Sequence, residues 1–137
     1  MCSPKLSACS IITRLWHYRG HQLTIGIDGA EFRAATVIAT TGRRYAGPFV
    51  IAPDASVAEP LLDFVLFRRS GRLAVLRYLA ALAHGSLPRR ADVTLLRGRE
   101  AFVSASDPVP VQADGEIVAQ LPVAIGIAAA PLRFVRP

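Results

Sequence analysis

Residues 109–123 read VPVQADGEIVAQLPV, and the centre of that stretch, Gln112-Ala113-Asp114-Gly115-Glu116, decides how the rest of the chain is taken. Asp-Gly tolerates the positive φ angles that a tight primed turn demands. Val109 and Val111 precede it, and Ile117, Val118, Leu121 and Val123 follow, so the stretch is read as two strands joined by a β-hairpin. The same turn sets two carboxylates, Asp114 and Glu116, two residues apart in a chain with few acids. Such a pair suits a proton acceptor with a metal partner, and it equally suits ordinary turn chemistry. From the residues alone both readings stand, and hairpins of this kind are far commoner than active sites.

Upstream of this hairpin the apolar pattern repeatedly shows strand spacing. Residues 21–28 (HQLTIGID) place Leu23, Ile25 and Ile27 on one side, Asp28-Gly29 makes a turn, and 31–40 (EFRAATVIAT) return as the second strand of a hairpin. Asp28 is thereby assigned to the turn. Residues 41–48 form a loop, 49–52 a brief buried run halted by Pro53, and 53–60 a second loop. Residues 61–67 (LLDFVLF) are a strand by their β-branched and aromatic content, with Asp63 placed at the strand edge. Ser70-Gly71 marks a turn before the best helix of the chain, 72–83 (RLAVLRYLAALA). Leu73, Leu76, Leu79 or Ala80, and Ala83 form its apolar stripe, expected to pack on the core, and Gly85 is its C′ residue. Beyond the loop 86–90, strands are expected at 91–96, 100–104 and 108–113, then 116–123, and a last strand or pair over 124–135. Eight or nine short strands with one helix inserted mid-sequence imply a mainly β protein, a β-sandwich.

The N-terminus carries less information. Residues 1–10 lack periodicity and are read as an extension, with the domain spanning 11–137; residues 11–18 (IITRLWHY) suit a short helix ended by Gly20. Cys2 and Cys9 have no further cysteine or histidine cluster to complete a zinc site and are expected to be free thiols in a reducing compartment. No apolar run is long enough to span a membrane and no signal-peptide core is present, so a cytoplasmic or membrane-peripheral location is expected.

Composition bounds the function. At 137 residues, 52% hydrophobic and 19% charged, the chain can bury one core and is not a disordered segment. Its net charge of +6 comes almost wholly from arginine, which forks onto phosphate oxygens. A solvated Arg-rich face is an equally good reading, because the arginines occur in scattered pairs (Arg43-Arg44, Arg68-Arg69, Arg89-Arg90). The aromatic residues do not interleave with them, so nucleic acid is not an expected partner. His17, His21 and His84 lie far apart without carboxylate or serine partners and suit helix ends or surface positions.

Several pieces fall in a recognisable order: Gly47-Pro48-Phe49, Ile51-Ala52-Pro53-Asp54-Ala55, Leu61-Leu62-Asp63, the helix ending at Gly85, Val111-Gln112-Ala113-Asp114-Gly115-Glu116, and Pro131-Leu132-Arg133-Phe134-Val135-Arg136-Pro137. Together they resemble the C-terminal domain of the diacylglycerol kinase-like lipid kinases, a family that includes sphingosine kinases and bacterial lipid kinases. The resemblance implies a β-sandwich of the NAD kinase and diacylglycerol kinase C-terminal type, which closes over an N-terminal α/β domain carrying a GGDGT nucleotide-binding motif. No GGDGT occurs in this sequence. The chain alone is therefore expected to be inactive, with ATP binding only through such an N-terminal domain, in cis or in trans. By the same resemblance Asp114 and Glu116 fall on the family's D-G-E, where a carboxylate accepts the proton of the lipid hydroxyl. Ser56, Glu59 and Leu61 fall on a loop that in bacterial members holds a structural Mg²⁺. Here Glu59-Pro60 replaces the usual Asp-Gly, and Thr41 stands where Asn is common. The implied partners are a lipid substrate or a membrane surface; a free-standing module binding anionic lipid, or an inactive remnant of a truncated gene, are the alternative readings.

Overall fold

The computed structural model describes residues 21–45, 47–113 and 116–127. Within them the Asp28-Gly29 turn, with φ angles of 45° and 88°, is the primed turn that its sequence demands, and it joins β1 (Leu23–Ile27) to β2 (Ala30–Ala34). Asp28 also reaches a distant segment. Its carboxylate accepts the N–H groups of Arg99 and Glu100 at 3.1 Å, and its own N–H donates to the Glu100 carbonyl at 3.2 Å. Asp28 is a structural residue, as the sequence suggests.

The single strand expected over 31–40 is two strands. At Ala35 the chain bends, the Ala35 N–H donates to the Phe67 carbonyl at 2.8 Å, and β3 (Thr36–Thr40) enters a different sheet. A second corner of this kind separates β7 (Val93–Gly98) from β8 (Glu100–Ala105) at Arg99. Gly98 is required there: a Cβ on it would sit 2.5 Å from the Ile27 side chain and 2.9 Å from the Asp28 carboxylate. Two sheets are thus cut from shared runs of chain. One has the order β11-β8-β1-β2, with β11 at Val123–Gly126; the other has the order β3-β6-β7, with β6 at Leu62–Phe67; all pairings are antiparallel. Two ribbons complete the described strands: β4 (Arg44–Tyr45) with β5 (Phe49–Val50), and β9 (Pro110–Ala113) with β10 (Glu116–Gln120).

The architecture turns on β6, whose six residues are all buried. Successive side chains of a strand point to opposite faces, so a strand apolar on both faces must be covered twice. Leu62, Phe64 and Leu66 pack with Leu23, Ile25, Ile27, Ala101 and Val103 of the other sheet. Val65 and Phe67 face the opposite way, onto Ile51, Ala55, Leu87 and the helix α1 (Arg72–Ala83). The result is a mainly β sandwich with one inserted helix covering the outside of the three-stranded sheet.

The helix meets that sheet with a face other than the expected one. Its buried residues are Ala74, Tyr78 and Ala81, while Leu73, Leu76 and Leu79 are exposed. Small alanines let the helix lie close to the sheet, and Tyr78 fills the space between them. The Tyr78 ring meets Phe67 edge-on at 4.9 Å, and its hydroxyl accepts the Arg69 N–H at 3.2 Å and donates to the Asp92 carbonyl at 3.5 Å. Leucine in that position has no polar end to satisfy those groups. The helix stops as its sequence suggests: Gly85 has φ 69°, with Gly85 N–H donating to the Leu82 carbonyl and Ser86 N–H to the Ala81 carbonyl.

Candidate functional site

The hairpin read from residues 109–123 is present in part as the ribbon β9–β10, in which Ala113 pairs with Glu116; the strand expected over 116–123 ends at Gln120, and Val123 opens β11, which pairs with β8 in the four-stranded sheet. Asp114 and Gly115, at its tip, lie outside the described residues. Glu116 is exposed at the first position of β10. Beyond it a bulge between Ile117 and Ala119 leaves Ile117 and Val118 pointing to solvent.

Between this ribbon and the two sheets runs a cleft of about 760 Å³, walled by aliphatic side chains that include Val37, Val103, Val109, Leu121 and Val123. Gln112 and Ala113 line one part of it, so the cleft reaches the residue whose register partner is Glu116. A smaller cleft of about 460 Å³ lies under α1, among Ile51, Phe67, Tyr78, Leu79 and Leu82. Thr36 and Gln112 line both. The arrangement is a largely apolar trough that borders the hairpin on its Gln112–Ala113 side.

The residues expected to hold Mg²⁺ lie in the loop before β6. Its turn brings two of them together: the Glu59 N–H donates to the Ser56 carbonyl at 3.2 Å, and Ser56 Oγ accepts the Ala58 N–H at 3.3 Å. Leu61, half-buried, follows just before the strand. The carboxylate of Glu59, however, is taken by Arg97, with Nη2 2.7 Å from Oε2. A guanidinium at that place repels a divalent cation and competes with it for the set's one negative donor. These residues therefore do not suit a magnesium ion, and no group of three or more His, Cys, Asp or Glu side chains able to hold a metal occurs among the described residues.

Arg97 also serves a residue that the sequence placed wrongly. Asp63 is not at a strand edge; β6 is the central strand of its sheet, and Asp63 is 5% exposed. It stands directly across from Arg97 in the β6–β7 register, with Arg97 Nε 3.2 Å from its Oδ1. Its Oδ2 is buried with no hydrogen-bond partner among the described residues. Burial pushes the Asp63 carboxyl above its ordinary value of 3.8, Arg97 draws it back, and the neighbouring Asp54 and Glu59 push it up again. The signal was available: a lone acid inside LLDFVLF, a run buried on both faces, must find a cation.

The other sequence candidates fall apart spatially. His84 caps the exposed end of α1 and His21 lines the larger cleft, while His17 and both cysteines lie outside the described residues. In the 41–48 loop the polar contacts come from Thr40, whose Oγ1 donates to the Gly42 carbonyl and accepts its N–H, and from Arg43, whose Nε donates to the Ala55 carbonyl at 2.9 Å. Arg90 grips Asp92 with two hydrogen bonds, at 2.8 and 3.0 Å, which hold that carboxyl below its usual range. No helix among the described residues is long and apolar enough to cross a membrane.

Comparison with known proteins bears on this geometry. A family model described as the YegS C-terminal NAD kinase beta sandwich-like domain matches residues 6–136. Three solved structures from Bacillus anthracis strain Sterne, each carrying a diacylglycerol kinase assignment, superpose with TM-scores of 0.63 to 0.66 at 16% to 18% identity. They cover 85% of this chain, which in turn spans only 41% to 42% of theirs. No curated protein matches the sequence.

Proposed function

Because the chain belongs to the family of YegS C-terminal NAD kinase beta sandwich-like domains, we propose that it forms the acceptor-binding half of a diacylglycerol kinase-like lipid kinase. A nucleotide-binding domain, in cis or in trans, would hold ATP with its Mg²⁺, which offsets the charge of the phosphates. This domain would take the lipid, with hydrocarbon in the aliphatic cleft and the hydroxyl at the hairpin tip. Glu116, with Asp114 beside it in sequence, then accepts the hydroxyl proton while the oxygen attacks the γ-phosphorus; the bond to the β-phosphate oxygen breaks and ADP departs. No step passes through the loop of Ser56, Glu59 and Leu61.

The observation that carries the reading is that the largely apolar cleft is lined in part by Ala113, the strand partner of Glu116. Its test is transfer of labelled γ-phosphate to diacylglycerol by the enzyme assembled with its nucleotide-binding domain. Glu116→Gln together with Asp114→Asn is expected to lower turnover by roughly 10²-fold or more with little change in lipid KM. Turnover equal to that of the parent enzyme would sink the proposal.

A further inference from the structure

The inward face of α1 is made of alanines and one tyrosine, and its outward face of leucines. Leu73, Leu76 and Leu79 recur at helical spacing and are 60%, 55% and 48% exposed. Helices that pack on a core normally present the reverse. The charge around the row is equally one-sided. Residues 68–91 contain six arginines and neither aspartate nor glutamate, and of these Arg69 and Arg90 pair with Asp92 just beyond. Arg68, Arg72 and Arg77 are exposed, and neither Arg68 nor Arg77 has an ion pair among the described residues.

We propose that the outer face of α1 is the surface by which this domain rests on an anionic lipid bilayer, with Leu73, Leu76 and Leu79 entering the headgroup–acyl boundary and Arg68, Arg72 and Arg77 meeting lipid phosphates. An apolar row flanked by cations on a short helix lying in the interface plane is what such a surface requires. A second copy of the chain fits less well, because two such faces would bring arginines against arginines. Nucleic acid fits less well too, because the leucines would be left against phosphate.

Continuity with the interior supports the assignment. Leu79 belongs both to the exposed row and to the cleft under α1, and that cleft shares Thr36 and Gln112 with the larger cleft, which Ala113 helps to line. If the chain takes a lipid acceptor as proposed above, a lipid leaving the bilayer meets the cleft under α1 first and the hairpin-side cleft beyond Thr36 and Gln112. That last step rests on the kinase reading; the membrane contact itself does not.

The experiment is co-sedimentation of the purified chain with vesicles of phosphatidylcholine, alone or mixed with phosphatidylglycerol. Binding is expected only with the anionic lipid and should fall as salt is raised. Leu73→Gln with Leu76→Gln, and separately Arg68→Gln with Arg77→Gln, should each weaken partitioning on the order of tenfold. Both pairs lie outside the core, so the unfolding temperature should hold and report that the fold is intact. Absence of parent binding to anionic vesicles, undiminished binding by both folded variants, or a solution dimer that the leucine changes dissociate would each overturn the proposal. Glu116→Gln should leave vesicle binding unchanged. A chain that fails to bind vesicles while the assembled enzyme still phosphorylates a soluble short-chain acceptor loses the membrane surface alone.

Discussion

Arg97 joins the 51–61 loop to the edge of the sandwich, and its two carboxylate partners differ in what they lose without it. Glu59 is half-exposed and can return to water, so its pair with Arg97 contributes little. Asp63 cannot, because it is buried. A carboxyl whose pKa rises on folding binds its proton more tightly in the native state, so stability declines as pH climbs from the unfolded value near 3.8 through the folded one. Removing Arg97 takes away the influence that lowers Asp63 and deepens that decline. Arg97→Gln is therefore expected to lose about 2 kcal/mol at neutral pH, less than for a fully buried pair because the guanidinium is partly in water. Thermal unfolding followed from neutral to acid pH should show the loss shrinking as Asp63 protonates, and Asp63→Asn in the same chain should restore most of it. The parent's unfolding temperature should be equal in chelator and in excess Mg²⁺, since the Glu59 carboxylate faces the Arg97 guanidinium. Ser56 and Glu59 are singled out through the family resemblance, not through any local signature of their own. The Arg97 pairing could not be read from sequence, since it depends on strand register between residues far apart in the chain.

At the scale of elements, α1 marks the limit of reading a helix from hydrophobic spacing. Two apolar faces were available, and the leucine stripe is the more hydrophobic. What decides between them is volume and polarity at the contact: alanines that allow close approach, and a tyrosine whose hydroxyl bonds Arg69 and Asp92 backbone groups on the far side. The Arg90 guanidinium, 5.5 Å over the same ring, covers it from solvent. Tyr78 thus fastens the helix. Tyr78→Phe is expected to destabilise the protein by about 1 kcal/mol through the lost hydrogen bonds. Tyr78→Ala should remove roughly 3–4 kcal/mol by leaving a cavity against Phe67. Denaturant unfolding measures both, and equal losses for the two variants would show that the ring is not what docks the helix. The hairpins were easier to read, because an Asp-Gly dipeptide between alternating runs specifies its own geometry. The split of 31–40 at Ala35 was not, since nothing in EFRAATVIAT marks where a continuous strand changes partners.

For the whole molecule, burial predicts where the fold opens last. β6 has neighbours on both edges and cover on both faces, and β1 is flanked by β2 and β8, whereas β4–β5 and β9–β10 are two-stranded ribbons. Hydrogen exchange should be slowest in β6 and β1 and fastest in the two ribbons, and exchange in β6 as quick as in β9 would contradict this architecture. The strand order β11-β8-β1-β2 has a consequence of another kind, for the chain as it leaves the ribosome. β1 can pair with β2 at once, but its other edge belongs to β8, 72 residues on at the Asp28–Glu100 contact. Contacts so distant in sequence form slowly. Until they do, Leu23, Ile25 and Ile27 stand uncovered beside an open row of backbone donors and acceptors, a template on which a second nascent chain can add. The hazard to this domain is therefore greatest during synthesis, and it ends when β8 slots in beside β1.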